Sequence, residues 1–151
     1  MMAEGNENRR LRGEVVKWLL EKTEIKGLPA SAVEHETRRI LQDIVRENVR
    51  RGISKEELES HKDDIYNSAA KSSSDRVKLD CILGRIAVDE KIEVADQELT
   101  QEIERLAYRY SMPVAKMRNE LEQHNALDGL RDDLRSAKTI EAVLQQAKIE
   151  D

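Results

Sequence analysis

The fold of this chain depends on the stretch from Asp75 to Leu99, DRVKLDCILGRIAVDEKIEVADQEL. Its first part repeats apolar residues at helical spacing, which predicts an amphipathic helix that ends near Lys91. These residues are Val77, Ile82, Leu83, Ile86 and Ala87. Ile92 and Val94 then lead into a second helix that starts near Asp96. The stretch therefore predicts two consecutive helices joined by a short turn.

The residues after this stretch continue the helical pattern. From Leu99 to Tyr110 the apolar positions keep a period of about 3.6 residues, and Met112 and Pro113 interrupt it. A short helix follows and carries Val114, Met117 and Leu121. A last helix starts after Asn125 and carries Leu127, Leu130, Leu134, Ala137, Ile140, Val143 and Leu144.

The residues before the stretch predict three further helical segments. The first covers about residues 8 to 24. The second starts at Pro29, because proline is tolerated in the first helical turn, and stops at Gly52. The third begins with Ser54 and Glu57, which form a capping-box pattern.

These patterns together predict an all-α fold in a single domain, since no segment alternates apolar and polar residues with a period of two. Residues 1–8 are predicted to be disordered. Residues 58–70 are poor in apolar side chains, so we expect them to form an arm outside the core. Serines 72 to 74 are weak helix formers, and a kink is expected there.

Composition excludes several classes of function. The chain has 151 residues, of which 38% are hydrophobic and 38% are charged, and its net charge is −5. An acidic protein is unsuited to binding nucleic acid, which needs a basic surface. The basic residues near Arg10 are interpreted as a solvated helix face. No segment is apolar enough for a membrane span or signal peptide, and Cys81 is the single cysteine, interpreted as a small core residue. We therefore expect a cytoplasmic protein without membrane contact.

The sequence offers no catalytic or metal-binding pattern. The three histidines lack the spacing of a metal site, and the glycines are too scattered to form a phosphate-binding loop. Adjacent acidic residues such as Asp63 and Asp64 point in different directions on a helix and usually hydrate a surface. We expect no enzyme activity, no metal and no cofactor.

Four segments, in this order and spacing, resemble the C-terminal domain of trigger factor, a bacterial chaperone family. They are IKGLPASAVEHETRRIL from Ile25, the Asp75–Leu99 stretch, IERLAYRYSMPVAKMRNELEQHNAL from Ile103, and LRDDLRSAKTIEAVLQQAKIED from Leu130. The resemblance implies an elongated helical body with two projecting arms, which form a cradle that holds unfolded or nascent polypeptides without ATP. It also implies that ribosome docking and prolyl isomerase activity belong to other domains. The docking signature contains phenylalanine, which this sequence lacks.

Two positions depart from the pattern of the family. Ala95 stands where a Ser or Thr cap is usual, which costs about 0.5 to 2 kcal/mol unless Asp96 takes over the capping role. Ser111 stands where glycine is usual, and a left-handed backbone there would be mildly strained.

Two surfaces are candidates for polypeptide binding. The first lies on YRYSMPVAKMRNEL, from Tyr108 to Leu121, because methionine and tyrosine suit promiscuous apolar contact. By resemblance its contact residues are Leu106, Tyr110, Met112, Met117 and Leu121. We expect Leu106 to be the most buried and Met117 the most open. The alternative is that these residues close a helix-turn-helix corner.

The second candidate surface lies on the predicted arm and consists of Ile53, Leu58, Ile65 and Tyr66. Its alternative is that these residues pack against Val45 or Val49 of the preceding helix. The function predicted from both surfaces is an ATP-independent holdase for unfolded polypeptides. A structural protein that forms a weak homodimer through its apolar stripes is the alternative.

Overall fold

The computed structural model describes the backbone of residues 2–150 and the side chains of residues 5–148. Within these residues the chain forms seven α-helices and no β-strand, which confirms the predicted all-α fold. The helices are α1 (Met2–Lys22), α2 (Ala30–Arg50), α3 (Lys55–Ser60), α4 (Lys62–Asp89), α5 (Asp96–Arg109), α6 (Val114–Gln123) and α7 (Leu127–Glu150).

Most helix ends lie where the sequence predicts them. Pro29 is the N-cap of α2, and Ser54 caps α3 by accepting a hydrogen bond from the Glu57 N–H at 3.2 Å. The N-terminus differs, because α1 begins at Met2 and residues 2–8 are helical rather than disordered. Ion pairs of Arg10 with Glu7 and Glu14 support this first part of α1. Residue 1 lies outside the described residues.

The predicted kink at serines 72 to 74 does not break the helix. α4 runs without interruption through all three serines, and the break falls instead at His61, between α3 and α4. The Ser73 hydroxyl is fully buried and lies 2.6 Å from the Thr37 hydroxyl of α2. Ser73 also reaches the Ala70 carbonyl at 2.9 Å. Because this hydroxyl pair is satisfied across two packed helices, serine is compatible with a helix interior at this position.

The helices are distributed over two compact units. One unit comprises Val16–Ile82, and its buried apolar residues are Leu19, Ala69, Val77 and Ile82. In this unit the Lys78 Nζ donates a hydrogen bond to the Leu20 carbonyl at 2.7 Å, which satisfies a carbonyl near the end of α1.

The other unit comprises the residues up to Val15 and those from Leu83 onward. Its central cluster is Leu99, Ile103, Ala107 and Met117, from α5 and α6. Half-buried residues surround this cluster, namely Leu106, Met112, Leu121, Leu127, Leu130 and Leu134. The three helices α5, α6 and α7 thus share one apolar core.

Three basic side chains of α7 hold the linker between α4 and α5. Arg135 donates to the Ile92 carbonyl at 2.9 Å, Lys138 to the Glu93 carbonyl at 2.7 Å, and Arg131 to the Val94 carbonyl at 2.7 Å. Consecutive linker carbonyls therefore have partners although no strand or helix includes them.

Cys81 is exposed, so its predicted place in the core is wrong. The buried neighbours Ile82 and Leu83 occupy the inward side of α4 at this point, and the preceding residue is turned outward by the helical rotation of about 100° per residue.

α5 begins without a side-chain cap. Ala95 is its N-cap and makes no capping hydrogen bond through its side chain. Asp96 does not replace Ala95 as the capping residue. Its carboxylate instead accepts a hydrogen bond from Arg131 Nη2 at 2.8 Å. Glu98 accepts from the backbone N–H of Ala95, so one half of a capping box is present.

Four helices end in the same motif, in which a left-handed residue is followed by an apolar one. At the end of α5, Met112 N–H donates to the Ala107 carbonyl at 2.8 Å and Ser111 N–H to the Tyr108 carbonyl at 3.1 Å. This is the Schellman pattern. The left-handed residues at the ends of α2, α4, α5 and α6 are Gly52, Lys91, Ser111 and Asn125. Only the first of them is a glycine.

Ser111→Gly is expected to stabilise the protein by about 1 kcal/mol, because Ser111 has a φ of 51° and glycine adopts this conformation without a Cβ penalty. Urea unfolding followed by circular dichroism measures the change. The matched control is Ser72→Gly in the interior of α4, which is expected to cost roughly 0.5 kcal/mol through helix propensity. A destabilised Ser111→Gly variant would contradict the assignment of strain to this residue.

Candidate functional site

An open apolar groove of about 530 Å³ lies in the Val16–Ile82 unit, and we call it the α2 groove. Its apolar lining comes from α2, α3 and the start of α4, namely Leu41, Val45, Leu58, Ile65 and Tyr66. Val45 and Tyr66 keep 45% and 56% of their surface exposed. Apolar side chains are therefore accessible to another molecule along this groove.

The groove lies where α2, α3 and the start of α4 meet, because these segments carry too few apolar side chains to fill the space between them. Ser54 starts α3 and His61 ends it after a single short helix, so Leu58 and Ile65 lie on separate segments. Between them the chain carries charged residues that cannot fill an apolar core. The segment predicted to be poor in core residues thus leaves the side of α2 that bears Val45 partly uncovered.

The groove also has charged lining residues, and all of them are exposed. α3 and the start of α4 contribute Lys55, Glu59, Lys62 and Asp63. Lys62 and Glu59 approach to 4.0 Å, and both side chains are well exposed. Such exposed pairs contribute little to stability, so they can exchange partners with a bound molecule.

The structure groups three of the four predicted arm residues. Leu58 and Ile65 are half-buried in the groove, and Tyr66 is exposed in it. Ile53 is half-buried but follows the left-handed Gly52 and does not line the groove. Val45, which the alternative interpretation placed against these residues, lines the same groove and is 45% exposed.

The α5–α6 corner is largely a core. Met117 is 7% exposed and belongs to the central cluster, whereas Leu106 is only half-buried. The expectations that Met117 would be the most open of these residues and Leu106 the most buried are therefore both wrong. Leu106, Met112 and Leu121 are half-buried against the same cluster. α6 packs its inward face on α5, and Met117 is at the centre of that face. The sequence pattern could not show this, since one apolar stripe serves equally for packing and for exposure.

The tyrosines of this corner remain open. Tyr110 is 64% exposed and Tyr108 is 90% exposed. Together with Ser111, Met112 and Pro113, Tyr108 lines a shallow depression beside the corner. Tyr108 was not among the predicted contacts because it lies off the apolar stripe of α5. Its position as an aromatic residue on a polar helix face was the feature of the sequence that could have indicated an exposed contact.

Ion pairs explain several pKa shifts in the described residues. A hydrogen bond from Arg105 lowers the pKa of Glu102, and one from Arg39 lowers the pKa of Glu36. A hydrogen bond from Lys138 lowers the pKa of Glu98. Each contact stabilises the charged carboxylate, whereas a general acid needs a raised pKa. Glu36 and Glu102 pair with arginines of their own helices, and Glu98 of α5 pairs with Lys138 of α7.

Among the described residues, no group of three or more His, Cys, Asp or Glu side chains is arranged to hold a metal ion. In the same part of the chain, no helix is long and apolar enough to cross a membrane.

The fold and the groove define an all-helical protein that presents apolar surface in an open concavity. Residues 2–145 match the family described as bacterial trigger factor protein C-terminus. The chain belongs to this family.

Individual relatives of this chain are named trigger factor. The chain is 30% identical over 142 residues to trigger factor of Streptococcus equi subsp. zooepidemicus, a match that covers 91% of this chain and 32% of the relative. Trigger factor of Opitutus terrae is 37% identical over 82 residues, which is 54% of this chain and 19% of the relative. Trigger factor of Syntrophomonas wolfei is 26% identical over 154 residues, a match that covers 99% of this chain and 34% of the relative. The chain thus spans about a third or less of these relatives.

The backbone also resembles a solved structure of domains of trigger factor from Thermotoga maritima. The TM-score is 0.67 at 18% identity, and the match covers 91% of this chain and 81% of the other. At 18% identity, this structural similarity is evidence for a shared fold only.

Proposed function

We propose that this chain is an ATP-independent holdase module that binds unfolded or nascent polypeptides through apolar side chains of the α2 groove. The observation that carries the proposal is the open apolar groove in a member of the trigger factor C-terminal family. The relatives are named trigger factor, and the family is one of chaperones by the resemblance described above.

The groove suits weak and unselective contact. Its apolar walls are half-exposed, and a fully buried Val or Tyr contact with a client contributes roughly 1 to 2 kcal/mol. One such groove binds weakly, so a client must reach several sites at once to be retained. The exposed Tyr108 and Tyr110 of the α5–α6 corner are proposed as a second, smaller contact surface.

The acidic surface supports the same role. A net charge of −5 and abundant exposed ion pairs keep a protein with open apolar surface soluble when it carries a client. No step of this function needs a cofactor, so client release depends on the client burying its own apolar residues as it folds.

The test is suppression of aggregation of a chemically denatured, unrelated protein by this chain without nucleotide. The expected result is dose-dependent suppression of light scattering, with the client recovered in a complex with the chain. Serum albumin at equal mass serves as the control for crowding and nonspecific adsorption. Absence of suppression at a large molar excess would overturn the proposed function and leave a structural role.

A further inference from the structure

A buried hydroxyl pair joins α2 to α4 one helical turn away from the α2 groove. Thr37 is 6% exposed and Ser73 is fully buried, and their hydroxyl oxygens lie 2.6 Å apart. Each hydroxyl also lies within hydrogen-bond distance of a carbonyl of its own helix, at 2.7 Å for Thr37 with Val33 and at 2.9 Å for Ser73 with Ala70. The pair therefore connects two helices while each member keeps a local partner.

Two hydroxyl protons serve these three contacts, since each hydroxyl has one proton to donate. One hydroxyl donates across to the other helix, and the second donates to a carbonyl of its own helix. If one partner is removed, the remaining hydroxyl can still donate to its own carbonyl, so no buried donor is left unsatisfied. The contact between the helices is therefore expected to contribute little to the free energy of unfolding.

The two hydroxyls are also the polar members of two otherwise apolar stripes. Residues four apart are neighbours on one side of a helix. The stripe of α2 is Val33, Thr37, Leu41 and Val45, and the stripe of α4 is Ile65, Ala69, Ser73 and Val77. Apolar contacts are non-directional and fit several registers, whereas a hydrogen bond weakens steeply with distance and forms in one register only. The hydroxyl contact thus distinguishes one register of α4 on α2 from the others.

The same stripes continue from the hydroxyl pair into the groove. α2 and α4 run antiparallel here, since Glu36 Oε1 lies 3.9 Å from Arg76 Nε on one side of the pair, and Leu41 and Ile65 line the groove on the other side. The Arg76 side chain is 55% exposed, so water weakens its long ion pair. A shift of α4 along α2 by one turn, about 5.4 Å, would carry Ile65 and Tyr66 past their present neighbours in the groove.

We propose that Thr37 and Ser73 are positioning residues of the α2 groove, which fix the register of α4 on α2 and so hold the groove walls in the arrangement that binds clients. The inference rests on the proposed function, because it concerns how the same groove is kept in its binding form. Neither residue lines the groove, so their effect on a client is transmitted through the helix register. A single buried polar contact can set the register of packed helices without adding stability.

The experiment removes both hydroxyls and nearly keeps the side-chain volumes. In Thr37→Val with Ser73→Ala, Tm should change by less than about 4 °C, because both partners of the hydrogen bond are removed together. Client affinity should fall about fivefold, because a shifted register misaligns the groove contacts. The client is fluorescently labelled lactalbumin that has been reduced and alkylated so that it stays unfolded, and anisotropy measures its binding.

The matched control exchanges the two residues, as Thr37→Ser with Ser73→Thr. This exchange variant keeps both hydroxyls and the same total number of side-chain atoms. It is expected to bind the client like the unchanged chain, because the hydrogen bond between the helices can still form. Circular dichroism melting verifies that both variants fold.

A distance measurement tests the register without a client. Spin labels are attached at Arg46→Cys on α2 and Asp75→Cys on α4, in a chain that also carries Cys81→Ser, and all three positions are exposed. The labelled residues lie on opposite sides of the hydroxyl pair, about 16 Å apart along the helices, so a register shift changes their distance directly. We expect one narrow distance distribution with the hydroxyl pair or its exchange variant, and a broader one shifted by up to about 5 Å in the apolar variant.

The outcomes separate this inference from the proposed function. Three results would overturn the inference and leave the holdase function standing: an unchanged distance distribution in the apolar variant, loss of its cooperative melting, or unchanged client affinity despite a shifted distribution. Failure of the unchanged chain to bind the unfolded lactalbumin would instead count against the holdase function, and with it against any role of the pair in positioning a client site.

Discussion

Ile103→Ala is expected to lower the free energy of unfolding by about 3 to 4 kcal/mol, the largest stability effect we predict for a single substitution. Ile103 is fully buried at the centre of the α5–α6–α7 core, in contact with the cluster of Leu99, Ala107 and Met117. Removing three carbon atoms there loses apolar burial and leaves a cavity that the surrounding helices can fill only in part. Urea unfolding followed by circular dichroism at 222 nm, a wavelength typical of helices, measures the loss.

The control for this substitution is Val88→Ala on α4. Val88 is 61% exposed, so its truncation should change the free energy of unfolding by less than about 0.5 kcal/mol. A loss below about 1 kcal/mol for Ile103→Ala would mean that the three helices do not close around this residue.

The double variant Val45→Ser with Tyr66→Ser is expected to raise the amount of chain needed for half-maximal aggregation suppression about tenfold. Both side chains line the α2 groove and are about half exposed, so their apolar surface is available to clients. Loss of two contacts worth about 0.7 kcal/mol each gives this factor, since part of each side chain already packs on the protein. Because serine is tolerated in helices, helicity should remain close to that of the unchanged chain.

The chain offers a matched control for this variant. Val88→Ser with Trp18→Ser also replaces one exposed valine and one exposed aromatic residue, at 61% and 55% exposure, and neither lines the α2 groove. We expect this control to suppress aggregation like the unchanged chain. Equal loss in both variants would show that general surface hydrophobicity, rather than the groove, holds clients.

The α5–α6 corner provides the competing location. Tyr108→Ser with Tyr110→Ser removes its two exposed aromatics and leaves the buried Met117 in place. A strong loss of suppression in this variant, with little loss in the groove variant, would move the main client contact to the corner. Substitution of Met117 itself would be uninformative, since it would disturb the core.

The helices could be predicted from the sequence because their signals are local. The period of the apolar residues indicated each helix, and Pro29, Ser54 and Pro113 marked starts that the structure confirms. The break at His61 was missed, since no glycine or proline marks it. Residues 2–8 were assigned to disorder because they lack an apolar stripe, whereas the structure continues α1 through them, with an ion pair between Glu7 and Arg10.

The candidate site could be predicted only in part. Leu58, Ile65 and Tyr66 were chosen because they are apolar residues in a polar segment, and the structure brings them together in one groove. Leu41 and Val45 of α2 also line that groove, although they lie some 20 residues earlier in the sequence. Val45 was named from the sequence only as an alternative packing partner of the arm, and Leu41 was not named, because the spacing within each segment does not specify which residues of the other it meets.

The sequence by itself therefore determined the all-α class, the course of the helices and the family. The tertiary structure alone decided which apolar residues are covered. Met117 is buried and Tyr108 is open, Cys81 faces outward, and Val45 lies in a groove that α3 and α4 leave unfilled. The physical reason is that helical periodicity records which side of a helix is apolar. Whether another element packs on that side depends on residues distant in the chain.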